Sequence, residues 1–438
     1  MSEMNLPAST QLHQSVPSLP RDVTRLTNRI FPSNGSVFTQ NQSIQFDLGN
    51  TGLLVPESMS LVFQYQITTT GTATGGTNSY ITGTPCYSPF RQLDVQANGS
   101  MLSSIANYNQ VCHMLSKTRM DLASRASAAT SFGISSILTT PSTPTAFENL
   151  NGFALPAAPL TSFLSVSQPV VSVLSTADKL LPLFAGPAIR LTFWTCPTTD
   201  FVTLGTGQTV AVSLVNISLV YDTVNLGGQY EEMVRSMGPQ FTRCTHYATV
   251  TQNLAASAAA SNIDLVFQAR YSSIRAVYLL PSYAGRTYEN VFSVTTPGQS
   301  GRLTFNFAGI QYPQSGIDLS NSANEFNELR VAAHSSGHSA DSFAMAIPSL
   351  EYNNMATVVP TILTASPVRP ASHYVGTSME KLGSAGGFLV NGTSSQSAPI
   401  TVRYTTGGAT DAYNISLVAA CDCILTFDPQ ARNITADV

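Results

Sequence analysis

Charged side chains are scarce in this sequence. Asp, Glu, Lys and Arg make up 10% of its 438 residues, against roughly a quarter in ordinary soluble domains. High net charge with few apolar residues is the signature of disorder, and a 43% hydrophobic content argues against it here. A formal net charge of −4 argues against a general polyanion binder. No apolar run approaches the roughly 20 residues that a membrane-crossing helix needs. Cysteine is too thinly spread for a disulfide scaffold; Cys86, Cys112, Cys196, Cys244, Cys421 and Cys423 are expected as buried thiols. The start, Met1-Ser-Glu-Met-Asn, has no basic segment followed by an apolar core, so no secretory signal is expected. The triplets at Asn98, Asn216 and Asn391 are therefore expected to stay unmodified.

Recognisable chemistry is absent as well. The sequence has no phosphate-binding Gly-x-x-x-x-Gly-Lys-Ser/Thr loop, no Gly-x-Ser-x-Gly elbow and no His-Glu-x-x-His helix. His334 and His338 stand four apart, but Gly337 and the intervening serines weaken any helix there, and zinc would need further ligands. They read as loop histidines. Cys421 and Cys423 flank Asp422 in an expected strand and should share a face, again without two more ligands nearby. Asp422 and Asp428 read as solvated strand-end charges rather than a catalytic pair, and the lone Trp194 as core or interface. No catalytic, cofactor-binding or metal-binding residue is assigned, no cofactor is expected, and the chain does not read as an enzyme.

What the chain has in abundance is period-two patterning. Residues 1–29 are polar, with Pro7, Pro17 and Pro20, and read as an N-terminal arm. Its Arg21, Arg25 and Arg29 are either solubilising charges or a weak contact to nucleic acid or an anionic membrane. From Ile30 onward, Ile44/Phe46/Leu48 and Leu61/Phe63/Tyr65/Ile67 alternate with polar neighbours, as in strands with one buried face. A strand from Arg91 leads to an Asn98-Gly99 turn, and Leu102, Ile105, Tyr108, Val111 and Leu115 suggest a helix after it. Residues 123–175 read as a long insertion between strands. Ile189–Phe193 and Val210–Tyr221 are strands, the second slipping phase by one residue as at a bulge.

Residues 222–243 look like a connector, after which the plan recurs. Strands are expected at Ile263–Phe267, Ile274–Leu280, Leu303–Phe307, Ile400–Tyr404 and Ile415–Phe427, with a helix from about Ser322 to Ala333. A repeat of about 200 residues means two copies of a domain. The expected division is an arm at 1–29, a first unit at 30–226, a connector at 227–243, a second unit at 244–430 and a tail at 431–438.

The stretches Ile44–Leu48, Val55–Phe63, Leu93–Asn109 and Leu180–Phe193, then Tyr312-Pro313, Glu325–Leu329, Ala398–Val402 and Ala419–Phe427, carry a resemblance in that order. The chain resembles the double jelly-roll major capsid proteins of tailless icosahedral DNA viruses, of the polinton-like virus, adintovirus and virophage type. The resemblance covers about residues 30–430 and is weak over 123–175. It implies an all-β fold of two consecutive eight-stranded jelly-roll β-sandwiches with short inserted helices. It also implies homotrimeric capsomers of near-hexagonal outline that tile a virion, with a penton protein as partner. The alternatives are a β-sandwich adhesin or glycan-binding surface protein, and a glycan-active enzyme, which would need a pair of acids in a cleft.

Overall fold

The computed structural model describes residues 23–72, 79–134, 152–256, 262–268, 270–283, 301–307, 309–319, 321–335, 345, 347, 374–381, 392–406 and 412–438. In the first half the strands are β1 (Thr24–Ile30), β2 (Val37–Phe38), β3 (Ser43–Asp47), β4 (Leu53–Leu54), β5 (Ser60–Thr70), β6 (Tyr80–Ile81) and β7 (Phe90–Ala97). They continue as β8 (Ser100–Ala106), β9 (Phe153–Ala154), β10 (Leu160–Pro169), β11 (Leu181–Pro182), β12 (Ile189–Thr195), β13 (Val202–Thr203) and β14 (Thr209–Asn225). Helices α1 (Tyr108–Thr118), α2 (Leu122–Ser127) and α3 (Ala129–Phe132) fall between β8 and β9, and α4 (Gly228–Ser236) follows β14. The second half has β15 (Gln240–Leu254), β16 (Asn262–Phe267), β17 (Ile274–Tyr283), β18 (Gly301–Phe307) and β19 (Ile310–Asp318), then helix α5 (Ser322–Ser335). It ends with β20 (Val375–Ser378), β21 (Ile400–Thr406), β22 (Tyr413–Asp428) and β23 (Asn433–Asp437).

Both halves arrange their principal strands alike. In the first, β14 lies between β5 and the β1/β2 pair, with β10 outside β5, and the facing sheet runs β3-β12-β7-β8. In the second, the sheets run β15-β22-β17-β20 and β16-β21-β18-β19. Ranked along the chain within each half, the order is first–eighth–third–sixth over second–seventh–fourth–fifth, which is the jelly roll. The fold is all-β, as expected.

Local chemistry explains the elements. In β5 the buried Leu61, Phe63, Tyr65 and Ile67 alternate with half-exposed neighbours, so one face joins the core. Asn98 and Gly99 both take positive φ, 47° and 81°, the backbone of the tight turn that joins β7 to β8. The bulge expected in β14 is present: its register with β5 shifts between Val215 and Ser218, around Asn216 at φ 53°. The first core centres on aromatics. Phe193 meets Phe46 edge-on at 6.1 Å and tilts against Phe90 at 5.4 Å, and Phe90 meets Phe63 at 5.3 Å.

Several segments differ from their sequence reading. Residues 24–29, read as arm, belong to β1, paired with β14 from Thr24↔Asn225 to Ile30↔Leu219. Both faces of β1 are largely exposed, so no apolar period marks it, and ladder bonds hold it instead. The other arm residues, 1–22, and His338 lie outside the described residues. Leu102 and Ile105 are core residues of β8, and only Tyr108–Thr118 is helical. The stretch read as an insertion contains β10, a full edge strand of the first sandwich. β15 begins at Gln240, inside the expected connector, and β23 in the expected tail pairs with β22.

Candidate functional site

The halves are not separate globules. β22 is buried along nearly its whole length because both of its faces are covered. Leu417, Ala419 and Cys421 point into the second sandwich's own core. Val418, Ala420, Cys423, Leu425 and Phe427 join the core continuous with the first half. Cys421 and Cys423 thus enter different cores instead of sharing a face. All six cysteines are free and buried, as expected.

The phase change falls at Asp422, which is not a solvated strand-end charge. Its carboxylate is about 1% exposed and accepts from Arg243 at 3.0 Å and from the Ser273 hydroxyl at 2.7 Å. Arg275 Nε sits 3.0 Å from the same Oδ1 as an ion pair off the hydrogen-bonding direction, while its other end donates to Thr245. Asp428, by contrast, accepts from the amides of Gln430 and Ala431 in the turn before β23. The two aspartates serve separate structural ends.

Beside this charge cluster runs a polar seam between the halves. Arg243 carbonyl accepts from the Asp178 amide at 3.0 Å, and the Thr245 amide donates to Thr176 Oγ at 3.0 Å, so the outer edge of β15 is bonded to the first half. Further along, Thr249 donates to the Ala106 carbonyl at 2.7 Å, Asn107 donates to Thr251 at 2.9 Å, and Arg119 donates to the Tyr247 hydroxyl beneath it. Ser103 and His246 Nδ1 meet at 3.0 Å with both side chains buried.

Burial pushes the His246 imidazole from 6.5 to about 4, and burial with Lys117 and Arg125 pushes His113 well below its usual range. Both therefore stay neutral in the folded protein while the unfolded chain takes up protons first. Stability should be full above pH 6.5 and fall as pH drops towards 4. His246 alone accounts for up to about 3 kcal/mol of that loss. Urea midpoints across this range check it: His246→Gln should flatten the slope, and an unchanged slope would contradict the burial assigned to this ring.

Three acidic side chains elsewhere are held in ion pairs. Asp47 faces Arg190 at 2.7 Å, Asp222 faces Arg25 at 2.5 Å, and Asp264 faces Arg403 at 2.8 Å. The Thr27 hydroxyl and Arg25 hold Asp222 below the usual carboxylate range, and Arg403 does the same for Asp264. Trp194 donates from its ring to Asp94 at 2.8 Å. Arg25 and Arg29, read as possible nucleic-acid contacts, are used within the chain, Arg29 donating to Ser218 at 3.0 Å. A recess of about 220 Å³ lined by Phe38, Gln40, Pro89, Thr195, Cys196 and Phe201 contains no carboxylate. Among the described residues no group of three or more His, Cys, Asp or Glu is placed to hold a metal, and no helix is long and apolar enough to cross a membrane. His334, read as a loop histidine, instead lies in the last turn of α5, and His338 is outside the described residues.

What remains is surface: long flanks whose large exposed apolar residues include Phe163 and Leu160 on the edge strand β10, Ile310 on β19 and Val266 on β16. β10 carries no acidic or basic side chain that would deter pairing. Natural edges are usually guarded by charge.

No family model matches the sequence, and no curated protein is similar to it. Solved structures are. The Faustovirus major capsid protein superposes with a TM-score of 0.59 at 10% identity, over 95% of this chain and 92% of that one. A chain of the Sputnik virophage structure gives 0.58 at 14% identity, over 100% and 92%. The mavirus major capsid protein gives 0.54 at 10%, over 99% and 94%. Over its whole length, the chain has the fold of the double jelly-roll major capsid proteins.

Proposed function

We propose that this chain is the major capsid protein of an icosahedral virus, acting by repeated contact with copies of itself and without catalysis. The observation that carries this reading is the pair of identically ordered jelly rolls fused through a shared core. That architecture matches capsid chains over 95% and 99% of this chain. A rigid two-lobed block with exposed flanks suits assembly, because cyclic capsomers need fixed angles between contact faces. The same proposal places three copies in a capsomer of near-hexagonal outline, tiled in a virion assembled inside the host cell. It divides the chain into two units close to 30–226 and 244–430, the first extended to take in β1 and the second to take in the start of β15 and β23. It also retains a penton protein as partner and a weak contact of the arm with nucleic acid or an internal membrane. Nothing in the comparisons supports the adhesin reading.

Negative-stain electron microscopy with solution mass measurement tests it. Trimers of hexagonal outline, or closed shells, are the expected result. A monomer at every concentration, with no assembly in the presence of the virus's other structural proteins, would overturn the proposal.

A further inference from the structure

Exposed apolar side chains gather where the two halves meet. Met233 lies in the last turns of α4 and Met237 is the extended residue that follows it, 46% and 41% exposed. Phe241, at the start of β15, is 57% exposed, and Leu180 is 43% exposed. Local geometry makes them neighbours. Gln240 donates to Met237 Sδ at 3.3 Å across a short turn. Residues 176–180 run antiparallel to 245–241, with Thr176 against Thr245 and Asp178 against Arg243, which brings Leu180 beside Phe241. Four large apolar side chains together on a protein surface ordinarily have an occupant.

The chain supplies one at the same place. β1 begins opposite Asn225, and Gly227, two residues on, turns the backbone into α4 with its amide bonded to the Asn225 side chain. The described chain therefore begins beside the first turn of α4. From there Met237 is about 13 Å away along the helix. Leu19 and Val16, five and eight residues before Thr24, reach roughly 16 and 26 Å when extended. A tether this short gives the arm a millimolar-scale effective concentration at the patch, which a free partner rarely reaches.

We propose that the N-terminal arm docks on this patch of its own chain through Val16 and Leu19, covering Met233, Met237 and Phe241. The docking belongs to the single chain and stands apart from the assembly reading.

The test uses the full chain. With Leu19 replaced by p-benzoylphenylalanine, irradiation should attach the arm to peptides from 228–241 at the mass of one chain. In the Val16→Asp/Leu19→Asp variant, amide exchange over 228–241 should be about tenfold faster than in the wild type. In Met237→Ser/Phe241→Ser, whose altered side chains are already exposed, trypsin should cut at Arg21 faster. An adduct at twice the chain mass would make a second copy the occupant and overturn the proposal. So would unchanged exchange, or flotation of the wild type but not Met237→Ser/Phe241→Ser with phosphatidylglycerol vesicles, which would assign the patch to lipid.

Discussion

Replacing Asp422 by Asn is expected to lower the unfolding free energy by about 3–5 kcal/mol, read from urea denaturation at neutral pH. The substitution keeps the shape of the side chain but removes the carboxylate charge that contacts both Arg243 and Arg275. Arg275 has a side chain only 6% exposed, so its positive charge would lose its contacting carboxylate where solvent cannot replace it. A second arm of the experiment separates the value of the pair from the penalty of breaking it. Asp422→Leu with Arg275→Met should cost clearly less than Asp422→Asn alone, since exchanging a buried pair for apolar groups of like volume is often neutral. If the single substitution costs under about 1 kcal/mol, the cluster behaves as a solvated surface pair, and the burial assigned to it is wrong.

The same residue shows where the sequence stops being legible. A strand is easy to read when one face is wet and the other dry, as in β5, β12 and β18, and each of these stands out by alternation. β22 stands out for the opposite reason, a long apolar run covered on both sides. β15 defeats both rules. Its Thr242, Thr245 and His246 are buried, yet they are polar because the seam they face is built from hydrogen bonds. Nothing in Gln240–Leu254 advertises fifteen residues of strand. β1 and β10 are edge strands, one largely exposed on both faces and the other irregular in period, so their side chains record little of their place. Asp422 was misread because the partners that bury it, Arg243, Ser273 and Arg275, lie about 150 or more residues away in sequence.

The candidate assembly surface is less legible still. Patterning names the side chains that face inward, while contact between copies depends on which outward residues fall side by side. That is set by strand order, and strand order is not local. The Met233–Phe241 patch illustrates the point: three of its members read as connector, and Leu180 joins them only through the β15 seam.

Phe193→Asp should abolish folding of the first half and, with it, any assembly. Phe193 is wholly buried and touches Phe46, Phe90 and Tyr108. Loss of its packing costs about 3–5 kcal/mol, and an unpaired carboxylate in its place adds several more. Together these rival the roughly 5–15 kcal/mol that holds a typical domain. Phe193→Leu, which keeps the apolar contact, should fold at a cost of about 1–2 kcal/mol. The fate of the second half is the sharper readout. The first half covers one face of β22, and the outer edge of β15 is bonded to Thr176 and Asp178. Amide protection in β15 and β22 should therefore collapse together with β12 in Phe193→Asp. Wild-type protection there would mean that the second sandwich stands alone and that the shared core adds no coupling. A rigid two-lobed building block would then lose its physical basis.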